Sequence, residues 1–491
     1  MGSNTRIARP KGQPLHDGYA GPSHLSVISA PSLDSINASP NMSESAPIRR
    51  LLIISYHFPP DGAIGGLRWA GLSKYLGRMG WDVHVVTASE SAAENGNAGV
   101  HMHVRRRRRT LNDAYNAAKG LLKRNAPSAA PASPPNASNV PQRETRGIAT
   151  TLRRSAGAML VFPDHGRGWV LRAAVAARAL LRAERFDLVV TSGPPHSAHL
   201  AGVLATFGRR EPLWLDMRDP WSEAVLAYSP DAIERFLTPR LERFVRQRAR
   251  HATVTTAEFA ATIRLSSPWL PVSHVSNGVD VEQLPPRRED PGPGCLISYV
   301  GTLYARRTLT VVLDALRDLV RDQPMARQAI RLHIAGNVDG VHRQRLNADL
   351  ATNNILDLVE LHGVIPRSAA LDLLNRSHLA LVLAQDQHLM IPAKLYESMA
   401  LGVPTLVIAE PTSAAAREGR RIGALTVGVD DVEGIRRVIE DVLAGRLPRR
   451  VTASAPISHA ELAAQFDARF REGDPLAVAA AALPLAPGSG T

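Results

Sequence analysis

Lys394 and Glu397 stand three residues apart in the run IPAKLYESMALGVPTLV, residues 391 to 407, whose other members are mostly apolar or small. On a helix that spacing puts both side chains on one face. A lysine in a first helical turn adds its cation to free backbone N–H groups and the positive end of the helix dipole, which already favour an anion. A glutamate one turn deeper can accept two hydrogen bonds from a vicinal diol such as a ribose. Together they fit the two ends of a nucleotide diphosphate. The same spacing also allows an i,i+3 ion pair on a solvated face.

The surrounding residues define the element that must carry the pair. Pro392 suits the first helical position and Gly402 the C-terminal cap, which predicts a helix over Ala393 to Leu401. Leu379, Val382 and Ala384 before it and Leu401, Val403 and Leu406 after it imply packing between buried strands, where charges are retained for a reason.

Other reactive side chains fall at the ends of predicted strands. RLLIIS (50–55) is followed by a loop with Gly62, Gly65 and Gly66, a helix over Leu67 to Met79 and the strand DVHVVT (82–87), a complete βαβ unit. Gly65 and Gly66 allow close backbone approach to a phosphate or sugar, or are plain turn glycines. After a strand in RFDLVVTSG, His196 starts the next helix and is a candidate substrate contact or proton carrier, with a capping role as the alternative. His199 reads as structural. PLWLDMRDPW (212–221) ends in Asp216, Arg218 and Asp219, which form either a ligand site or a self-satisfied Arg-carboxylate network. CLISYVG ends at Gly301, with Arg306 and Arg307 in the following loop, and these arginines and Lys394 are expected to converge on one diphosphate or to be solvated.

Length and composition set the frame. The 491 residues suit two α/β domains with tails: a disordered stretch 1–47, a domain over 48–285 with a basic insertion at about 105–154, a second domain over 286–455, a helix over 456–471, and a disordered tail 472–491. Pro285, Pro286, Pro291, Gly292, Pro293 and Gly294 mark the linker, and IRLHIAG, LVELHGVI and LALVLA supply strands of the second sheet. Leu462, Phe466 and Phe470 form one stripe of the last helix.

A net charge of +13 and a pI near 10.4 call for an acidic partner. From Arg105 to Arg154 there are twelve Lys or Arg against Asp113 and Glu144, with Tyr115 the one aromatic residue. That argues against a single-strand nucleic-acid platform and leaves a solvated loop or an anionic membrane contact. The single Cys295, the absence of an 18-residue apolar run and the absence of a signal-peptide pattern point to a cytoplasmic protein. No cofactor is expected, and no metal, because no His, Asp and Glu cluster stands at ligand spacing. The opening loop lacks G-x-G-x-x-G, which disfavours a nicotinamide enzyme.

The pattern Pro392-x-Lys394-x-x-Glu397-x-Met399-Ala400-x-Gly402-x-Pro404 resembles the donor-site signature of GT-B glycosyltransferases, in particular the retaining, family 4-like group that builds bacterial surface polysaccharides. The resemblance covers roughly residues 48 to 470 apart from the insertion. It implies the GT-B fold, two Rossmann-like doubly wound parallel-sheet domains facing a cleft, and a last helix that crosses back to the first domain. It implies that Lys394 contacts the diphosphate and Glu397 the ribose of a nucleotide-diphosphate sugar, with Gly65, Gly66, Gly301, Arg306 and Arg307 on the donor side. Ser192-Gly193-Pro194-Pro195-x-Ser197-x-His199 and Asp216-x-Arg218-Asp219-Pro220-Trp221 resemble the acceptor half, which makes His196 and Asp219 catalytic candidates and Asp216 and Arg218 acceptor-side candidates. The expected acceptor is a glycan or a lipid-linked glycan, taken up with the enzyme peripheral at the inner face of a membrane. Many relatives carry a second glutamate eight residues before this one, where this chain has Leu389. A nucleotide-sugar epimerase of the same fold and a non-catalytic nucleotide-sugar-binding scaffold are the competing expectations.

Overall fold

The computed structural model describes residues 49–59, 61, 64–89, 99–108, 162–303, 306–338, 340–452, 454 and 458–472. Ile48–Thr491 forms one compact unit. The expected tail 1–47, the expected tail 472–491 apart from Glu472, which ends the last helix instead, Gly62, and the basic insertion from Arg109 onward lie outside the described residues.

Two parallel sheets make up the unit. The first holds β1 (Arg49–Ser55), β2 (Trp81–Thr87), β3 (Val100–Val104), β4 (Leu188–Gly193), β5 (Leu213–Met217), β6 (His251–Val254) and β7 (Val272–His274), in the order β3-β2-β1-β4-β5-β6-β7. The second holds β8 (Cys295–Val300), β9 (Ile330–Ala335), β10 (Val359–Gly363), β11 (Leu379–Leu383), β12 (Thr405–Ile408) and β13 (Leu425–Val427), in the order β10-β9-β8-β11-β12-β13. Strand order therefore reverses between β1 and β4 and again between β8 and β11. A doubly wound sheet opens a crevice at that switch, beyond the carboxyl ends of its strands.

The strands that were apolar throughout lie in the middle of their sheets, because helices cover both faces there. Leu51 to Ile54 in β1 and every residue of β11 are buried. The flanking helices are α1 (Ile64–Arg78), α2 (Val170–Ala183), α3 (Ser197–Thr206), α4 (Ser222–Tyr228), α5 (Ala232–Arg246) and α6 (Ala257–Ser266) in the first half. The second half adds α7 (Thr310–Asp322), α8 (Ala326–Ala329), α9 (Gly340–Asn353), α10 (Arg367–Asn375), α11 (Lys394–Ala400), α12 (Ala414–Ile422) and α13 (Val432–Leu443). The last helix, α14 (His459–Glu472), packs on α1 rather than on the second sheet. Its Leu462, Phe466 and Phe470 share a core cluster with Trp69, Leu72 and Trp81, and Trp81 Nε1 donates to Asp467 at 2.8 Å. The stripe of large apolar side chains decides this docking.

Helix α11 occupies the predicted place one residue shorter at each end, with Ala393 at its N-cap and Gly402 beyond its C-terminus in the left-handed region at φ +71°. The short edge strand β13 was not anticipated. Its three residues are only part-buried and lack the long apolar run of the central strands.

Candidate functional site

A cavity of about 450 Å³ lies between the strand ends of the two sheets. On the second-half side α11 presents Lys394 and Glu397, so the pair faces the cleft instead of solvent. It is nonetheless an ion pair. Lys394 Nζ contacts Glu397 Oε2, and Arg367, the first residue of α10, contacts Oε1. Glu397 is only 5% exposed. Burial alone would raise its pKa, but Lys394 and Arg367 outweigh burial and hold the carboxyl below its ordinary value. One carboxylate between two cations leaves a net positive group at the cleft wall. Arg307 adds another cation there, with Nη2 donating to Gln387 Oε1 at 2.6 Å.

Neighbouring Arg306 goes elsewhere. Its side chain is 74% exposed, pairs with Asp386 at 3.1 Å and does not line the cleft. Gly301 does line it, at the end of β8, where Gly336 (φ +141°) lies so close that a Cβ on Gly336 would fall 1.9 Å from the Gly301 oxygen. Leu389 is part-buried against the core of the first sheet, and its carbonyl accepts from Thr256 Oγ1 at 2.8 Å. A carboxylate there would be placed among apolar side chains between the halves.

From the first half, Gly65, Arg218 and Asp219 reach the cleft. A Cβ on Gly65 would meet the Arg218 guanidinium, and one on Gly66 would lie 2.9 Å from the Phe58 backbone. Gly65 thus clears room for an arginine, while Gly66, outside the cleft lining, lets the 57–58 turn pack on α1. Arg218 Nε donates to the Gly193 carbonyl at 3.2 Å, and a guanidinium nitrogen contacts the Pro194 carbonyl. The Asp219 carboxyl forms no hydrogen bond or ion pair among the described residues. Burial pushes its pKa above the usual carboxylate value, against the pull of Arg218 and Arg307.

Asp216 points the other way. It is fully buried and accepts from Trp69 Nε1 at 2.7 Å, Thr253 Oγ1 at 2.9 Å and Ser192 Oγ at 3.2 Å, with Arg68 Nε at 3.3 Å. The three charges at this strand end therefore divide, one to the interior and two to the cleft. His196 does not line the cleft either. Its ring is buried, stacked on Trp221 at 4.8 Å, behind the Pro194 and Pro195 that do line it. Burial, with His199 and Arg218 nearby, puts its pKa well below the ordinary value and keeps it neutral. His199 is fully buried and shares a hydrogen bond with Thr191 Oγ1 at 2.8 Å.

Arg367, Arg68 and His459 are among the cleft residues that the sequence did not single out. Arg367 follows Pro366 at a helix start, a signal that could have been used. Arg68 ties α1 to the carbonyls of Val275 and Ser276. His459 arrives from α14 and sits where a Cβ on Gly71 would lie 1.8 Å from its Nδ1. Two groups of metal-ligand type, Asp82-His84-His101 and His333-Glu360-His362, also form without ligand spacing in the sequence. Each draws its members from adjacent strands, which no local spacing reveals, and neither lines the cleft.

Residues 65–278 match the family described as glycosyl transferase 4-like domain, and residues 281–456 match glycosyl transferases group 1. No curated protein matches the chain in sequence. Among solved structures, the chain is similar to a sucrose-phosphate synthase from Thermosynechococcus elongatus at 14% identity and TM-score 0.59, covering 88% of this chain and 100% of that one. It is similar to Anabaena Alr3699/HepE, solved in complex with UDP and glucose, at 12% identity and TM-score 0.54, covering 86% and 95%. A putative UDP-N-acetylglucosamine 2-epimerase from Listeria monocytogenes shares the fold at 14% identity and TM-score 0.51, covering 87% and 98%.

Proposed function

Because the chain belongs to the glycosyltransferases, with a 4-like domain followed by a group 1 domain, we propose that it transfers a sugar from a nucleotide-diphosphate sugar to a glycan or lipid-linked acceptor. The transfer retains anomeric configuration and serves surface polysaccharide or glycolipid biosynthesis. The observation that carries this reading is the cation excess around one carboxylate: Arg307, Lys394 and Arg367 with Glu397, facing Arg218 and Asp219 across the same cleft. The diphosphate lies against Lys394 and Arg307, and the ribose hydroxyls bond to Glu397. As the anomeric C–O bond breaks, charge develops on the leaving phosphate beside these preplaced cations, where stabilisation is most effective. The acceptor hydroxyl forms the new bond from the face that the phosphate leaves, as retention in one displacement requires, and yields its proton to Asp219, whose raised pKa suits a base. Arg218 steadies the acceptor side. His196 supports Pro194 and Pro195 from behind and does not touch the substrate.

The complex of Alr3699/HepE with UDP and glucose supports a nucleotide-sugar donor for this architecture. A cytoplasmic enzyme at the inner face of a membrane fits the lipid-linked acceptor, and the exposed Arg105, Arg106 and Arg108 begin the basic stretch first assigned to that contact. No described helix is long and apolar enough to cross a membrane.

A thermal-shift screen of nucleotide sugars, followed by turnover assays with and without acceptor glycans, tests the proposal, since specific binding raises apparent stability by mass action. A transferase releases nucleotide diphosphate mainly when acceptor is present. Conversion of donor alone to an isomer would replace the reading with an epimerase, and binding without turnover would replace it with a scaffold.

A further inference from the structure

Helix α5 packs Leu241 and Val245 on the core of the first sheet, yet it also buries polar side chains and exposes large apolar ones. Its inward face holds Thr238, Glu242 and Arg246 beside Val245, with the Glu242–Arg246 pair sealed from solvent and the Ser222 backbone N–H donating to Glu242 at 2.9 Å. Its outward face carries Ile233, Phe236 and Phe244, and Phe236 is 56% exposed. Amphipathic helices of soluble domains place these classes the opposite way. Next to the helix, Phe207 (62% exposed) and Trp269 extend the apolar surface. An exposed apolar face of this extent marks an interaction site.

The charge on the face has one sign and little internal compensation. Arg240 sits 3.4 Å from the Phe236 ring centroid, Arg243 5.3 Å from Trp269, and Arg248 4.9 Å from Phe244 and 5.7 Å from Phe207. None of these arginines, nor the exposed Arg235, forms an ion pair with a carboxylate among the described residues. Some surface arginines of the second half are neutralised by carboxylates. Arg317, Arg321, Arg327 and Arg436 each grip an aspartate. The face of α5 has kept its guanidinium groups available for an anion from outside, next to aromatic rings suited to a boundary between water and hydrocarbon.

We propose that this face docks on an anionic lipid bilayer, with Phe236, Phe244 and Trp269 seated at the headgroup boundary and the arginines paired with lipid phosphates. The proposal rests on the reading of a lipid-linked acceptor and moves the membrane contact from the 105–154 stretch to α5. The position suits that acceptor. Helix α4 begins three residues after Asp219 and packs on α5, and its Tyr228 hydroxyl bonds the Asp386 carbonyl of the second half at 2.5 Å. The docking face thus continues from the rim of the cleft, so a glycan on a lipid carrier reaches Asp219 without leaving the surface.

The test is co-sedimentation of the full chain with vesicles of phosphatidylcholine, alone or mixed equally with phosphatidylglycerol. The expected result is binding to the mixed vesicles only, reduced at least about tenfold in the double variant Phe236→Ser, Phe244→Ser and equally in Arg240→Glu, Arg243→Glu. All four residues are exposed, so melting temperatures stay near that of the unchanged protein. If the unchanged chain ignores mixed vesicles, the membrane reading itself falls. If it binds and both α5 variants bind equally well, while joint replacement Arg105→Ser, Arg106→Ser, Arg107→Ser and Arg108→Ser abolishes binding, only the α5 assignment falls. A dimer in sedimentation velocity that Phe236→Ser, Phe244→Ser dissolves would also overturn it, since a second copy would then cover the face.

Discussion

The guanidinium of Arg218 occupies the space that a side chain on Gly65 would need: a Cβ built there falls 2.9 Å from Nη1 and 3.0 Å from Nη2. A methyl group must therefore push Arg218 off its contacts with the Gly193 and Pro194 carbonyls, toward or out of the cleft. Because the clash is with the tip of a long side chain, Gly65→Ala should cost little stability, on the order of 1 kcal/mol. Misplacing a group at the reacting centre by about 1 Å can cost roughly a hundredfold in rate. A melting temperature within a few degrees of the unchanged protein, combined with such a fall in kcat, is the expected pair of results.

Removing either cation from Glu397 should weaken donor binding. Lys394→Ala is expected to raise the Kd for the nucleotide diphosphate by an amount equivalent to about 1.5 to 3 kcal/mol, the range of a charge-assisted hydrogen bond. Arg367→Ala should act in the same direction and also leave a buried carboxylate with one partner, so its melting temperature should fall as well. Calorimetric titration with nucleoside diphosphates checks both, and undiminished affinity in Lys394→Ala and Glu397→Ala together would remove the assignment.

Adjacent arginines should separate cleanly. Arg307 lines the cleft and Arg306 reaches outward to Asp386. Arg307→Ala should therefore lower donor affinity by about tenfold or more. Arg306→Ala should stay within about 0.5 kcal/mol in both binding and stability. Equal losses in the same titration would count against this division.

Acid should destabilise the fold in part through His459. Burial depresses its pKa to about 4, and the Nδ1 atom has no hydrogen-bond partner among the described residues. Between that value and the ordinary one near 6.5, the unfolded chain binds more protons than the folded one, so stability rises with pH across this window. The contribution is fully present above pH of about 6.5 and is lost as pH falls toward about 4. His459→Gln should thus narrow the difference between the unfolding free energies from urea titrations at about pH 7.5 and about pH 5 by an amount on the order of 2 kcal/mol. The residual slope belongs to other buried histidines such as His251, also depressed to about 4.

The architecture was legible in the chain because its central strands are uninterrupted apolar runs and glycines such as Gly80 and Gly402, both at positive φ, close its helices. Lys394 and Glu397 were legible for a related reason: their relation is local, three residues on one short helix. Arg367 was not, since it meets Glu397 across 30 positions of sequence. Asp216 and Asp219 look equivalent in DMRD, yet β5 ends at Met217, and from there the path of the loop decides which carboxylate faces inward. Arg306 and Arg307 differ only by the turn of backbone between them. His196 has the residue type of a proton carrier, but the flat surface of Trp221 claims its ring.

The docking of α14 on α1 has a consequence for how the protein is made. Trp69, Trp81 and Trp214 of the first half are covered by Phe466 and Phe470, which leave the ribosome more than 250 residues after Trp214. Until then the first sheet presents three tryptophans to water, a surface of the kind that chaperones retain and that other chains adhere to. The helix that completes the first half therefore emerges only after both sheets, and a stop codon placed just before His459 should yield an aggregating product even though both sheets are encoded in full.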